Sequence, residues 1–137
     1  MAVEHVVVVG GGGLMGSGIA QVIASAGLQV TIVDVDGDAI ERGLRRIERG
    51  LEKAGDDRGE ARARISASTS LEEACAAADH VIESVIEDID AKVEVLRRLD
   101  AVCSEDVIFA TNTSQFPRAR ERRPPRAQDR SRAPRLR

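Results

Sequence analysis

Aromatic residues are almost missing from this sequence of 137 residues, which has no tryptophan or tyrosine and only Phe109 and Phe116. Proteins that bind single-stranded nucleic acid stack bases on aromatic side chains, so the composition argues against such a platform. Cysteine is scarce as well, because only Cys75 and Cys103 occur, without the ligand spacing of a zinc site. We therefore expect two free thiols in a reducing compartment, no disulfide framework and no metal.

Long apolar runs are also missing, since no segment approaches the roughly 18 residues that a membrane-spanning helix requires. The first five residues lack the basic stretch that opens a secretory signal. The chain is long enough for one domain with a hydrophobic core. These features predict a soluble, cytoplasmic protein with no membrane partner.

Charge divides the chain into two segments of opposite sign. Up to Ser114 there are 11 Lys and Arg residues against 21 Asp and Glu residues, whereas residues 115–137 contain nine Arg residues against two acids. We predict one domain over residues 1–114 and an Arg/Pro-rich tail over 115–137. Because the tail has no apolar periodicity, it is expected either to be disordered or to be translated in a wrong reading frame. An arm for nucleic acid or an acidic partner is the alternative, but the acidic domain opposes polyanions.

Strand and helix patterns alternate along the acidic segment. Val6–Val9 is a continuous β-branched run, which is typical of a parallel strand buried on both faces. Such alternation predicts right-handed crossovers and an α/β fold, namely a Rossmann-type doubly wound parallel sheet with strand order 3-2-1-4-5. The further strands are predicted over residues 28–33, 65–67, 81–85 and 107–110.

The helices between the strands carry local signals of their own. Gly27 stands where the first helix would take a left-handed C-terminal residue. Glu41 and Arg45 form an i,i+4 pair on the second helix, and Ser70 with Glu73 has the form of a capping box. Helical spacing predicts the apolar face of the first helix to consist of Met15, Ile19, Val22, Ile23 and Ala26.

A glycine-rich loop follows the first predicted strand. Gly11, Gly13 and Gly16 form the pattern Gly-x-Gly-x-x-Gly where the first helix begins. The first glycine permits a tight turn, the second lets the backbone approach a pyrophosphate, and the third lets the helix pack on the strand. The helix N-terminus adds N–H groups and a positive dipole. The loop therefore predicts a dinucleotide site.

Asp34 strengthens this prediction because it ends the second predicted strand, 18 residues beyond Gly16. An acidic residue about 20 residues after the loop accepts hydrogen bonds from the adenine ribose hydroxyls. Its charge would repel a 2′-phosphate, so NAD is favoured over NADP as the cofactor. The alternative is an ordinary α/β turn with a helix-capping aspartate.

Three segments resemble one enzyme family. VGGGGLMGSGIA at residues 9–20, VIESVIED at 81–88 with Lys92, and ATNTS at 110–114 are similar to the NAD-binding domain of the 3-hydroxyacyl-CoA and 3-hydroxybutyryl-CoA dehydrogenases. The resemblance covers residues 5–114. It implies an NAD-dependent oxidoreductase of fatty acid metabolism that converts a 3-hydroxyacyl-CoA to a 3-oxoacyl-CoA.

The resemblance also implies roles for individual residues. Asp34 and the glycine loop would hold the adenosine and pyrophosphate, whereas Glu87 and Lys92 would lie along the nicotinamide side. Ser114 would contact the nicotinamide ribose and position the substrate oxygen. Read without the family, the two charges are solvated groups beside a helix start and the serine is a loop hydroxyl. The cofactor-binding set implied by the family is Gly11, Gly13, Leu14, Met15, Gly16, Asp34, Glu87, Lys92, Asn112 and Ser114.

Parts of the family pattern do not occur in these residues. Residues 50–57 do not offer the Ser and Lys that contact coenzyme A in the family, so an acyl-CoA partner rests on resemblance alone. After Ser114 the family continues to Leu-His-Phe-Phe-Asn-Pro, with the catalytic His, and to a helical domain that forms a dimer; neither follows here. His5 and His80 precede strands, away from the ligand edge. We expect a truncated chain that binds NAD without a general base, and a non-catalytic NAD-binding module is the alternative.

Overall fold

The fold is one parallel sheet with helices on both faces. The structure, a computed structural model, describes residues 4–55, 59–84, 88–103 and 106–111. The five strands pair in the order β3-β2-β1-β4-β5, which confirms the predicted topology. The elements are β1 (His5–Val9), α1 (Leu14–Ser25), β2 (Gln29–Val33), α2 (Gly37–Lys53), α3 (Glu60–Ala63), β3 (Ile65–Ser68), α4 (Leu71–Cys75), β4 (His80–Glu83), α5 (Ile89–Val102) and β5 (Ile108–Thr111).

The strands end in register at one edge of the sheet. Val9 of β1 pairs with Val33 of β2 and with Glu83 of β4, while Ser68 and Thr111 continue the same row on β3 and β5. The residues that follow each strand therefore emerge together. In open parallel sheets this carboxyl edge is where ligands bind.

The central strand β1 is buried on both faces, as its β-branched run predicts. Val6 and Val8 belong to one core, which they share with α1, α2 and α3 through residues such as Ile47. Val7 and Val9 belong to the other core, beneath α4 and α5. Each face of the sheet is thus covered by its own layer of helices, which keeps the apolar strand surface away from water.

The predicted apolar face of α1 is wrong in part. Met15 and Val22 are 61% and 69% exposed, and Ala26 is exposed as well. At its N-terminal end the helix lies so close to the glycine loop that a Cβ on Gly16 would lie 2.2 Å from the Gly10 carbonyl oxygen. Ile19 and Ile23 pack partly buried against the core, and the buried positions of α1 are Gly16, Ser17, Ala20 and Ala24.

The local signals of the sequence are confirmed by the structure. Gly27 follows α1 with a φ of 98°, in the left-handed region. The Arg45 guanidinium donates to Glu41 at 2.6 Å, and the Ser70 hydroxyl accepts the Glu73 N–H at 3.2 Å to begin α4. Turn, ion pair and cap were each predictable because they depend on residues at most four positions apart.

The two cysteines are free, as predicted, and both are buried. They also lie together, because Cys103 Sγ donates to the Cys75 carbonyl at 3.6 Å and joins the end of α5 to the end of α4. A hydrogen bond with the Cys103 thiol and burial both raise the pKa of Cys75. The Cys75 thiol therefore stays protonated in the folded domain at neutral pH.

Candidate functional site

The turn between β1 and α1 is held by backbone hydrogen bonds to β2. The N–H groups of Gly10 and Gly11 donate to the Val33 carbonyl at 2.8 and 3.1 Å, and the N–H of Gly13 donates back to the Gly10 carbonyl at 3.1 Å. Gly10, with a φ of 84°, is the residue in the left-handed region. The tight turn assigned to Gly11 from the sequence therefore belongs to Gly10, one position earlier.

The three motif glycines differ in the space around them. A Cβ on Gly11 would lie 2.4 Å from the Ile32 Cβ, and one on Gly16 would lie 2.2 Å from the Gly10 carbonyl oxygen. A Cβ on Gly13 would meet only that carbonyl, at 3.4 Å, and Gly13 is exposed. Two glycines thus permit packing inside the protein, whereas the space beside Gly13 is open to a ligand.

Gly13 is also the N-cap of α1, and it has no side chain with which to cap the helix. The first N–H groups of a helix have no partner within the helix. Together with the helix dipole, such groups favour an anion such as a phosphate. The loop therefore presents open backbone donors at the place where the motif predicts a pyrophosphate.

Asp34 follows β2 and faces the same loop. Its Oδ2 accepts the Gly12 N–H at 2.9 Å, and its Oδ1 accepts the Val35 N–H at 2.8 Å. These donors fix the carboxylate, while each oxygen keeps a further lone pair for a hydroxyl group. The helix-capping alternative is wrong, because Asp36 caps α2 by accepting the Ala39 N–H at 2.8 Å.

A cavity of about 340 Å³ opens beside Asp34 at the carboxyl edge of the sheet. Its walls come from the ends of β1 and β2, from the turn between β3 and α4, and from α4 and α5. Five aliphatic side chains line it, which suits a flat ring system, together with one acidic and one basic side chain. The lining residues are Val9, Gly10, Val33, Asp34, Val35, Thr69, Leu71, Val95 and Arg98.

Lys92 lies in the interior rather than at the surface. Its Nζ donates to Glu83 Oε2 at 2.8 Å, and the two side chains are 0% and 2% exposed. The interpretation of Lys92 as a solvated charge is therefore wrong, while its contact with the nicotinamide side stays a prediction. Glu83 is a residue that sequence reasoning missed; its place in the segment VIESVIED was the available signal.

Comparisons with known proteins agree with this geometry. Residues 5–122 match the family model described as the NAD-binding domain of 3-hydroxyacyl-CoA dehydrogenase, and the match runs past Ser114. The chain belongs to this family. NAD is accordingly the cofactor of the domain, as predicted from the loop and Asp34.

Individual relatives support the assignment of this NAD-binding domain. A probable 3-hydroxybutyryl-CoA dehydrogenase of Bacillus subtilis is 43% identical in an alignment of 118 positions, which covers 81% of this chain and 41% of that protein. The mitochondrial hydroxyacyl-coenzyme A dehydrogenase of Sus scrofa is 39% identical in an alignment of 126 positions, which covers 83% of this chain and 40% of that protein. The chain therefore spans about two-fifths of the length of these relatives.

A solved structure shows the same fold. The (S)-3-hydroxybutyryl-CoA dehydrogenase of Ralstonia eutropha superimposes with a TM-score of 0.74 at 38% identity, over 82% of this chain and 42% of that one. FadB2 of M. tuberculosis gives a TM-score of 0.83 at 34% identity, over 90% of this chain and 46% of that one. The sheet and its helices thus form a unit shared with larger proteins.

The structure brings together part of the predicted site of the NAD-binding domain. Leu14 and Met15 are exposed at the start of α1, on the same edge as the glycine loop and Asp34. Glu87, Asn112 and Ser114 lie outside the described residues. Their roles on the nicotinamide side therefore stay predictions.

Both histidines of the NAD-binding domain begin strands, at the edge opposite the cavity. His5 opens β1, and its Nε2 lies 2.8 Å from the Thr31 Oγ1. His80 opens β4, and burial lowers its pKa. Each is half-buried. Their placement at the amino edge of the sheet is as predicted, and that neither acts as a base stays a prediction.

Two further properties concern the described parts of the chain. Among those residues, no helix is both long and apolar enough to cross a membrane. A search of the same ranges finds no cluster of three or more His, Cys, Asp and Glu residues that could hold a metal ion.

Proposed function

We propose that this chain supplies the NAD-binding part of a dehydrogenase that oxidises the 3-hydroxyl group of an acyl-CoA. The observation that supports this function best is the position of the open Gly13 backbone and the fixed Asp34 carboxylate at one sheet edge. The relatives whose names include 3-hydroxybutyryl-CoA or hydroxyacyl-coenzyme A dehydrogenase supply the substrate class. Bound NAD would accept the hydride.

Each part of the chain has a separate task in this proposal. The loop from Gly10 to Gly16 and the first turn of α1 would hold the pyrophosphate, and Asp34 would accept hydrogen bonds from the adenine ribose. Leu14 and Met15 would cover the cofactor at the start of α1. On the nicotinamide side the proposal retains Glu87, Lys92, Asn112 and Ser114, with Ser114 positioning the substrate oxygen.

The proton of the alcohol requires a base that these residues do not offer. Such a base lies within about 3 Å of the hydroxyl and titrates near neutral pH. His5 and His80 are the two histidines of the sequence, and both begin strands. At ~3.3 Å per residue, the five residues of β1 and the four of β4 place the histidines roughly 13–16 Å from the ligand edge. We propose that the 137 residues alone bind NAD without turnover.

Domain boundaries and cellular context complete the proposal. We propose residues 1–114 as the NAD-binding domain and residues 115–137 as a separate basic tail without a role in nucleic-acid binding. The two free buried thiols suit a reducing compartment, for which we propose the cytoplasm. Acyl-CoA would be the small-molecule partner, and no membrane partner is proposed.

Titration of the full 137-residue chain with NADH tests the proposed function. We expect saturable binding that Asp34→Ala weakens about tenfold or more, because a hydrogen bond to a charged group contributes about 1.5–3 kcal/mol. Asp38→Ala is the matched control, since Asp38 is an exposed acid in the first turn of α2 and does not line the cavity. Equal affinity of the Asp34 variant and the wild type would show that the site is wrong.

A further inference from the structure

The cavity beside Asp34 brings together an acidic and a basic side chain. Arg98 of α5 lines the same cavity as Asp34, and among the lining residues these two carry opposite charges. An arginine near an adenine ribose is the usual means of binding the 2′-phosphate of NADP, whereas an aspartate there selects NAD. The cavity thus contains one side chain of the kind that selects NAD and one of the kind that binds NADP.

Arg98 is held by Glu72 of α4 in a bidentate ion pair. Its Nε donates to Glu72 Oε1 at 2.8 Å, and its Nη2 donates to Oε2 at 3.0 Å. The hydrogen bond from Arg98 lowers the pKa of Glu72, and the same bond raises the pKa of Arg98. Paired bonds of this geometry fix the guanidinium plane as well as neutralising its charge.

Neighbouring charges do not replace Glu72 in this arrangement. Glu94 also acts electrostatically on Arg98, but its carboxylate lies 3.7 Å from Arg97 Nη1, one turn along the exposed side of α5. The carboxylate of Asp34 is oriented by the N–H groups of Gly12 and Val35 rather than by Arg98. Glu72 is therefore the acid whose removal leaves the Arg98 guanidinium beside the cavity without its ion-pair partner.

We propose that Glu72 is a second specificity-determining residue for NAD, which acts by withholding Arg98 from a 2′-phosphate. This inference rests on the proposed function, since it assumes that the adenosine end of NAD occupies the cavity. With Glu72 present, the charges of Asp34, Glu72 and Arg98 leave one net negative charge. Without Glu72 they cancel, and the guanidinium gains freedom to meet a phosphate.

The test compares the affinities of NADH and NADPH for Glu72→Gln. We expect the ratio of the NADPH to the NADH dissociation constant to fall about tenfold. The change removes one negative charge a few ångströms from the 2′-phosphate, and a tenfold effect follows at an effective dielectric constant between those of protein and water. The shift should shrink as salt is added. Glu73→Gln is the matched control, because Glu73 is the neighbouring exposed acid, whereas Arg98 pairs with Glu72.

A double variant separates specificity from simple bracing of α4 against α5. Arg98→Met in the Glu72→Gln background should return the ratio of the two dissociation constants to that of the wild type, because the guanidinium that would bind the 2′-phosphate is absent. Exposed pairs of this kind contribute little to stability, so the variants should fold. An equal loss of affinity for both dinucleotides in Glu72→Gln would overturn the proposal. Absence of NADH binding to the wild type would instead overturn the proposed function.

Discussion

Lys92 and Glu83 form an ion pair in the interior, with 2.8 Å between Nζ and Oε2. Lys92 lies in the first turns of α5, and Glu83 is the last residue of β4. The pair therefore ties the carboxyl end of a central strand to the helix that follows it. The residues between them include the segment in which Glu87 is predicted to meet the cofactor.

Lys92→Met should destabilise the domain by about 3–5 kcal/mol, because it leaves the carboxylate of Glu83 buried without its cation. Replacing both partners, Glu83→Gln with Lys92→Met, should cost less than the single change. Urea unfolding followed by circular dichroism measures both, with Lys53→Met on the exposed side of α2 as control. A single variant as stable as the control would show that the pair is not needed for the fold.

Gly13→Ala should weaken NADH binding while leaving the domain folded. The added methyl group meets only the Gly10 carbonyl, at 3.4 Å, and projects into the space predicted for the pyrophosphate. Gly16→Ala should destabilise instead, since its Cβ would lie 2.2 Å from backbone. Thermal melts and NADH titrations distinguish the two effects.

Gly18→Ala serves as the control for both glycine changes, because a Cβ there has no neighbour within 4 Å. Inside a helix this replacement should stabilise by about 0.5–1 kcal/mol and leave binding unchanged. Wild-type affinity in Gly13→Ala would contradict the placement of the pyrophosphate.

Asp79 should make stability depend on acid pH. Its Oδ2 accepts the N–H groups of Glu4 and His5, both at 2.9 Å, and these bonds lower its pKa. A carboxyl group with a lowered folded pKa stabilises fully above its unfolded pKa of about 3.9 and loses that contribution as pH falls through the folded value. Urea midpoints measured from pH 7 to pH 2.5 should therefore fall less steeply in Asp79→Asn than in the wild type. Parallel curves would contradict this role.

The 137-residue chain should not oxidise NADH with acetoacetyl-CoA, because both of its histidines lie at the edge opposite the cavity. The same preparation must bind NADH in a titration, so that inactivity is not mistaken for an empty site. Host dehydrogenases must be removed before the assay. Turnover at the rate of ordinary enzymes that disappears in Ser114→Ala would contradict the prediction.

The sequence predicted the sheet and the loop because their signals are local or periodic. The run of β-branched residues at Val6–Val9 indicates a strand buried on both faces. The spacing of Asp34 from Gly16 indicates its place at the end of β2. The face of α1 was predicted less well. Hydrophobicity favoured Met15 and Val22, but every buried position of α1 holds a small residue, which contributes little to a hydrophobic pattern.

Contacts between distant segments were beyond the sequence patterns. Lys92 is nine residues from Glu83, a spacing that is typical of neither a helix nor a strand. Arg98 and Glu72 are 26 residues apart, and their meeting depends on how α4 packs against α5. In each case opposite charges were visible, yet only the fold decides which acid meets which base.

The adjoining thiols of Cys75 and Cys103 are native probes of local opening in the domain. The thiolate is the form that reacts with disulfide reagents. The raised pKa of Cys75 and the burial of both sulfur atoms therefore keep them unreactive while α4 and α5 remain in place. Labelling can begin only when this corner of the molecule separates. The rate of thiol labelling under native conditions therefore reports the free energy of this local opening, without any denaturant. A cofactor that binds only the closed form should lower the labelling rate in proportion to the saturation of its site.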